Sequence, residues 1–108
     1  MPKRPYSVGL TERLQNHRHA VEYLNAALED SEEVFLLALR DVANARGGMS
    51  KIARTCKLNR ESLYRMLSKK GNPSLESLAK LLSSMGFRLA VEKKDARVMK
   101  AHLRGALA

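Results

Sequence analysis

In residues 49–68, MSKIARTCKLNRESLYRMLS, the apolar side chains fall where two short, steeply crossing helices would bury them together. Counted from Met49, Ile52 is fourth, Cys56 eighth, Leu58 tenth, Leu63 fifteenth and Met66 eighteenth. Ala53, the fifth, is the small residue needed where the first helix meets the second. The ninth position lies in the turn and commonly takes glycine for its positive φ. Lys57 stands there instead, at a modest strain, since other residues do enter that region at low frequency. This is the spacing of a helix-turn-helix unit. Much of the remaining chain must then be helix that covers it.

The flanking sequence supplies such helices. Residues 1–9 (MPKRPYSVG) hold two prolines and no periodicity, which predicts a flexible basic arm. Over 11–28 a helix is expected, with Leu10, Leu14, His17, Val21, Leu24 and Leu28 on one face and His17 half-buried there. His19 lies nearly opposite His17, so the two are poorly placed to chelate a metal. Ser31 followed by Glu32 and Glu33 starts a second helix, running to about Arg46 and ended by Gly47 and Gly48. Its middle, VFLLAL, is apolar around more than half its circumference and implies cover from the first helix or from a partner. Asn59 caps a helix to about Ser68, Lys70-Gly71-Asn72-Pro73 forms a turn, and Ser74 caps a helix carrying Leu75, Leu78, Leu81, Leu82 and Met85, stopping at Gly86.

Phe87, Leu89 and Val91 then alternate with Arg88, Ala90 and Glu92, a period of two that predicts a short strand. A lone strand needs a partner, and the economical one is its own copy in a symmetric dimer, with Phe87, Leu89 and Val91 at the interface. Residues 95–107, opening on Asp95, suit a last amphipathic helix or a frayed tail. The expected fold is thus all-α, a helix-turn-helix bundle of about five helices with one short C-terminal strand. The domain spans 10–92, between the arm 1–9 and a tail 93–108.

Charge narrows the function. The chain of 108 residues carries +9, distributed as +3 over residues 1–21, −5 over 22–41 and +11 over 42–108. So basic a segment attracts a polyanion, of which nucleic acid is the common one. The absence of Trp and an aromatic content of 5% argue against stacking platforms for single strands, and the helix-turn-helix spacing points to double-stranded DNA. No segment pairs a basic face with a wide apolar one, and the longest apolar run, 34–39, is far short of a membrane span. One cysteine makes no internal disulfide, so a cytoplasmic location is expected. Cys56 sits at an inward position as a small hydrophobe, with His17, His19 and His102 out of local reach. No phosphate-cradling glycine loop, metal-ligand cluster or serine elbow is present in the sequence; no catalytic residue, metal or cofactor is expected.

With the inward face assigned, the second helix of the unit turns Arg60, Glu61, Ser62, Tyr64, Arg65, Ser68 and Lys69 outward. A recognition helix offers its N-terminal side chains to base edges in the major groove. Arg60 can donate two hydrogen bonds to guanine, worth about 1–3 kcal/mol of discrimination. Asn59 and Ser62 suit phosphate or base contacts, Glu61 can accept from cytosine or orient Arg60 or Arg65, and Tyr64 can pack on sugar or a thymine methyl. Ser50, Lys51 and Arg54 before the helix, with Lys69 and Lys70 after it, are placed to hold phosphates.

Over 21–92 the chain resembles the addiction-module antidote proteins, the HigA-like antitoxins that pair with RelE/ParE-type toxins. The resemblance rests on AVEYLNAALED, FLLALRDVANARGGMSKIAR and LNRESLYRMLSKKGNPSLESLAKLLSSMGFRLAV, above all on RESLYRMLS followed by the GNP turn and the closing RLAV. It implies a lambda-repressor-like (Xre-type) DNA-binding domain that sequesters a cognate toxin and represses its own operon as a dimer. Asn59, Arg60, Glu61, Ser62, Tyr64 and Arg65 match the family's recognition helix. RelE-like toxins are commonly basic, so the acidic stretch 22–41, with Glu29, Asp30, Glu32 and Glu33, is the expected toxin-facing surface. Two other readings remain at this point: a stand-alone prophage-type regulator without a toxin, and a protein-interaction module that keeps the helix-turn-helix only as scaffold.

Overall fold

The computed structural model describes residues 4–93, with side chains from residue 9 onward. Among these residues six helices follow one another: α1 (Arg4–Leu14), α2 (His17–Asp30), α3 (Glu32–Ala45), α4 (Met49–Cys56), α5 (Arg60–Met66) and α6 (Leu75–Ser84). The fold is all-α, as the periodicities predict.

Side-chain caps set most of the boundaries. Ser31 serves two helices at once. Its extended backbone (φ −167°) sends its N–H to the Ala27 carbonyl, closing α2, while its hydroxyl accepts from the Val34 amide, opening α3. Asn59 and Ser74 cap α5 and α6 in the expected way, accepting from Ser62 and Ser77. One cap escaped the apolar pattern. Asn16 accepts from the His19 amide at 3.0 Å with an extended backbone, so the helix expected over 11–28 breaks into α1 and α2. The apolar stripe continues across the break and hides it from a periodicity argument.

α3 is the central helix and packs against α1, α2 and α4. Its broad apolar surface is therefore covered largely from within the chain: Leu36, Ala38, Leu39, Val42, Ala43 and Ala45 are all buried. The core continues through Met49, Ile52, Ala53 and Cys56 of α4, Leu63 and Leu67 around α5, and Leu81, Leu82 and Met85 around α6, with no polar residue buried among the described ones. Truncating a fully buried side chain such as Leu39 or Leu63 to alanine removes about 2–5 kcal/mol. Leu75, expected on the inward stripe of α6, is instead 72% exposed, because it stands at the first position of that helix.

Both chain ends depart from expectation. Residues 4–9, expected in a basic arm, are helical as the start of α1. Residues 87–93 form no strand, and no strand occurs among the described residues. A strand exists through ladder hydrogen bonds, and none of the other described segments offers an edge to pair with. Phe87 instead turns into its own core. Gly86, with φ 89°, lets the Phe87 amide reach back to the Leu82 carbonyl at 2.8 Å, and the Phe87 ring meets His17 edge-on at 5.4 Å. His17 makes that contact from an exposed position rather than the half-buried one expected. The expected helix or tail over 95–108 lies outside the described residues.

Candidate nucleic-acid interface

The geometry of the helix-turn-helix depends on Lys57. Among the described residues it is the one non-glycine residue with positive φ (61°, ψ 39°), the left-handed conformation the turn requires. Its amide bonds to the Arg54 carbonyl and that of Leu58 to the Ala53 carbonyl, a paired closure that ends α4 and reverses the chain into α5. Ala53 and Cys56 are buried at the crossing, and the Cys56 thiol donates to the Lys80 carbonyl at 3.7 Å, tying α4 to α6. Leu63 is fully buried beneath α5. That leaves Arg60, Glu61 and Arg65 exposed on the outer face, with Lys69 beyond the helix end and Ser50, Lys51 and Arg54 exposed on α4.

The structure leaves the residues predicted to contact DNA exposed, apart from Ser62 and Tyr64, which are half-buried. Between Met49 and Lys70 the chain carries Lys51, Arg54, Lys57, Arg60, Arg65, Lys69 and Lys70 against the single acid Glu61. Two residues have more specific roles than the sequence indicated. The Asn59 side-chain oxygen accepts from the Ser62 amide at 2.7 Å, which fixes the side chain as a cap and leaves its NH₂ group free to donate to a ligand. Tyr64 is half-buried with cations over its ring: the Arg40 guanidinium carbon is 5.0 Å from the ring centre, and that of Arg60 is 5.5 Å. Arg40 comes from α3, and nothing in the local spacing of the helix-turn-helix points to it. A shallow concavity of about 420 Å³ continues the face toward α6, lined by Ser62, Arg65, Lys70, Asn72, Ser74 and Ser77 among others.

A second cationic site is structural. Arg46, just past α3, donates to the carbonyls of Gln15 and Met85, each at 3.4 Å, and stands 5.0 Å from the Phe87 ring centre. Burial lowers its pKa, and its Nε is buried without a partner among the described residues. Of the expected dimer residues, Phe87 packs on its own chain, while Leu89 and Val91 are 42% and 100% exposed. Glu29, Asp30, Glu32 and Glu33 are exposed at the α2–α3 turn, remote in sequence from the basic face. Among the described residues there is no cluster of three metal-ligating side chains, and no helix long and apolar enough to cross a membrane.

These features define an all-α helix-turn-helix bundle with Arg60 and Arg65 exposed on its second helix. A family profile described as "Probable addiction module antidote protein" matches residues 6–93, and the chain belongs to that family. It is also 38% identical over 85 residues to an uncharacterized protein of Haemophilus influenzae (strain ATCC 51907 / DSM 11121 / KW20 / Rd), a match spanning 78% of this chain and 87% of the relative. No solved structure matches the chain significantly.

Proposed function

We propose that this protein is a DNA-binding antitoxin of the HigA-like, lambda-repressor-like kind. It neutralises a RelE/ParE/HigB-type toxin in the cytoplasm and represses its own operon as a dimer. The observation that carries the DNA half is the exposed face of α5. The Lys57 turn sets its angle, Leu63 anchors it, and Arg60 and Arg65 project from it. Arg60, Glu61, Ser62 and Arg65 read bases, while Ser50, Lys51, Arg54, Lys69 and Lys70 hold phosphates. Asn59 fixes the start of the reading helix and Tyr64 its seat on α3. Membership of an antidote family supports the toxin half, and the acidic turn with Glu29, Asp30, Glu32 and Glu33 is the surface suited to a basic toxin. Leu89 and Val91 supply apolar surface for dimer contact, so that two α5 helices meet major grooves about 34–36 Å apart.

The deciding experiment measures binding to a duplex from the protein's own upstream region against a scrambled duplex, at about 150 mM salt. A preference of about a thousandfold or more supports operator recognition. Equal, steeply salt-dependent binding to both would overturn it and leave the helix-turn-helix as scaffold for protein contacts.

A further inference from the structure

α2 and α3 enclose a groove of about 300 Å³ whose lining includes Tyr23, Ala26, Asp30, Val34, Leu37 and Asp41. Its floor is apolar and still open, with Val34 38% and Leu37 37% exposed. Its rim is anionic. Asp30 and Asp41 line it directly; Asp41 accepts from the Tyr23 hydroxyl at 2.5 Å. Glu29, Glu32 and Glu33 stand exposed at the adjoining turn without an ion pair among the described residues. In a chain of +9, this is the one stretch with a net charge of −5. An apolar floor inside an acidic rim selects a cationic amphipathic occupant.

The same chain carries one. Residues 94–108, KDARVMKAHLRGALA, set Lys94, Arg97, Lys100 and Arg104 against the single acid Asp95. Arg97, Lys100 and Arg104 recur at steps of three and four, as one helical face; Met99, Leu103 and Leu107 recur at steps of four, as another. The end of the described chain is also in position. Arg88 to Ala90 and Glu92 line a second groove together with Val21, Leu24, Asn25 and Leu28 of α2. Those α2 positions lie on the opposite side of the helix from Tyr23, Ala26, Ala27 and Asp30. A helix is about 10–12 Å across, so the path half-way round it is about 16–19 Å; six extended residues reach about 20–22 Å, so residues 93–98 suffice to pass round α2 ahead of Met99. The second groove does not compete on charge, because its rim charges, Arg88 and Glu92, cancel.

We propose that residues 94–108 dock in the acidic groove between α2 and α3 of their own chain, with Met99 and Leu103 on Val34 and Leu37 and the basic side chains toward Asp30 and Asp41. The docking does not depend on the function proposed above. Its consequence does rest on that function: a basic toxin reaching the acidic face would first displace the chain's own segment.

Amide hydrogen exchange on the full-length chain, alone and at low salt, tests the docking without toxin or DNA. The expected result is that amides in 98–107 exchange about tenfold or more slower than free-chain rates. That protection should disappear in both Leu103→Asp and Leu37→Lys and weaken in about 0.5 M salt, where surface charges are screened. Leu103→Asp leaves the helical bundle untouched, and unchanged protection of Leu63 in Leu37→Lys reports that its bundle is intact. Absence of protection in the unaltered chain overturns the proposal, as does protection that survives either substitution. Protection that rises with protein concentration also overturns it, by assigning the groove to a second copy.

Discussion

The guanidinium of Arg40 in α3 stands 5.0 Å from the centre of the Tyr64 ring in α5, so the central helix of the core holds the outward-facing helix by a cation on an aromatic face. Arg60 approaches the same ring at 5.5 Å from one turn earlier in α5. Such a contact contributes about 0.5–1 kcal/mol at a partly exposed site. A double-mutant cycle of Arg40→Ala and Tyr64→Leu, followed by urea unfolding, should give a coupling of that size. Strict additivity would mean that the ring and the cation are neighbours without attraction.

Lys57 serves the fold through its backbone, with its side chain exposed. Its φ of 61° puts its Cβ against the backbone, at about 1–2 kcal/mol relative to the right-handed region. Glycine removes that strain but loses more chain entropy on folding, about 0.5–1 kcal/mol. Lys57→Gly should therefore stabilise the protein by about 0.5–1 kcal/mol, raising the urea midpoint with an unchanged slope. Lys57→Val should lower the midpoint, because a branched Cβ worsens the same clash.

The sequence carried local information faithfully and long-range information poorly. Ser31, Asn59, Ser74, Gly47 and Gly86 mark boundaries through their own backbone and side-chain chemistry, and each was legible. Lys57 was legible as the strained position because the spacing around it fixed the turn. Asn16 was not, since Leu14 and Val21 keep the apolar stripe in step across the break. The alternation at Phe87, Leu89 and Val91 read as a strand because period two says only that neighbours face opposite ways; pairing needs a second edge. Arg40 and Arg46 were invisible for a related reason. Their roles come from rings and carbonyls 24 to 41 residues away in the chain, at Tyr64, Gln15, Met85 and Phe87.

Arg46 draws together three places where the chain changes direction: the α1–α2 break, the end of α3 and the segment after α6. Burial lowers its pKa, yet an arginine remains charged at neutral pH, so the fold bears that desolvation and recovers it through two carbonyls and the Phe87 ring. Arg46→Ala should lower stability by about 1–2 kcal/mol, with long 3.4 Å hydrogen bonds keeping the loss modest. Amide exchange at Phe87 should quicken more than at Leu63, because the substitution frees the segment after α6 before it touches the core.

Charge reversal of Glu29, Asp30, Glu32 and Glu33 to lysine tests the acidic turn as a steering surface for a basic partner. All four are exposed, so their contribution lies in the rate of encounter. The association rate with the toxin, measured at low salt by stopped flow, should fall by about tenfold or more, and the difference should shrink as salt rises. An unchanged rate at low salt would place the toxin elsewhere.

The last prediction separates the two kinds of DNA contact proposed for the helix-turn-helix. Arg60 stands in the first turn of α5, the position proposed above to read bases, and Lys51 is exposed on α4, proposed above to hold a phosphate. Removing a base contact changes which sequence is preferred. Removing a phosphate contact changes every sequence equally and releases about one counterion fewer. Arg60→Ala should therefore reduce operator preference by about 1–3 kcal/mol while leaving scrambled DNA nearly unaffected. Lys51→Ala should weaken both duplexes alike and lower the slope of log affinity against log salt by about one. Part of the Arg60 effect will pass through Tyr64, whose ring it shares with Arg40. Arg60→Lys distinguishes the two routes: it keeps a cation for the ring but cannot make the bidentate pair with guanine. Operator preference that falls in Arg60→Lys as it does in Arg60→Ala, with stability retained, assigns Arg60 to the base; preference that recovers assigns it to positioning the helix.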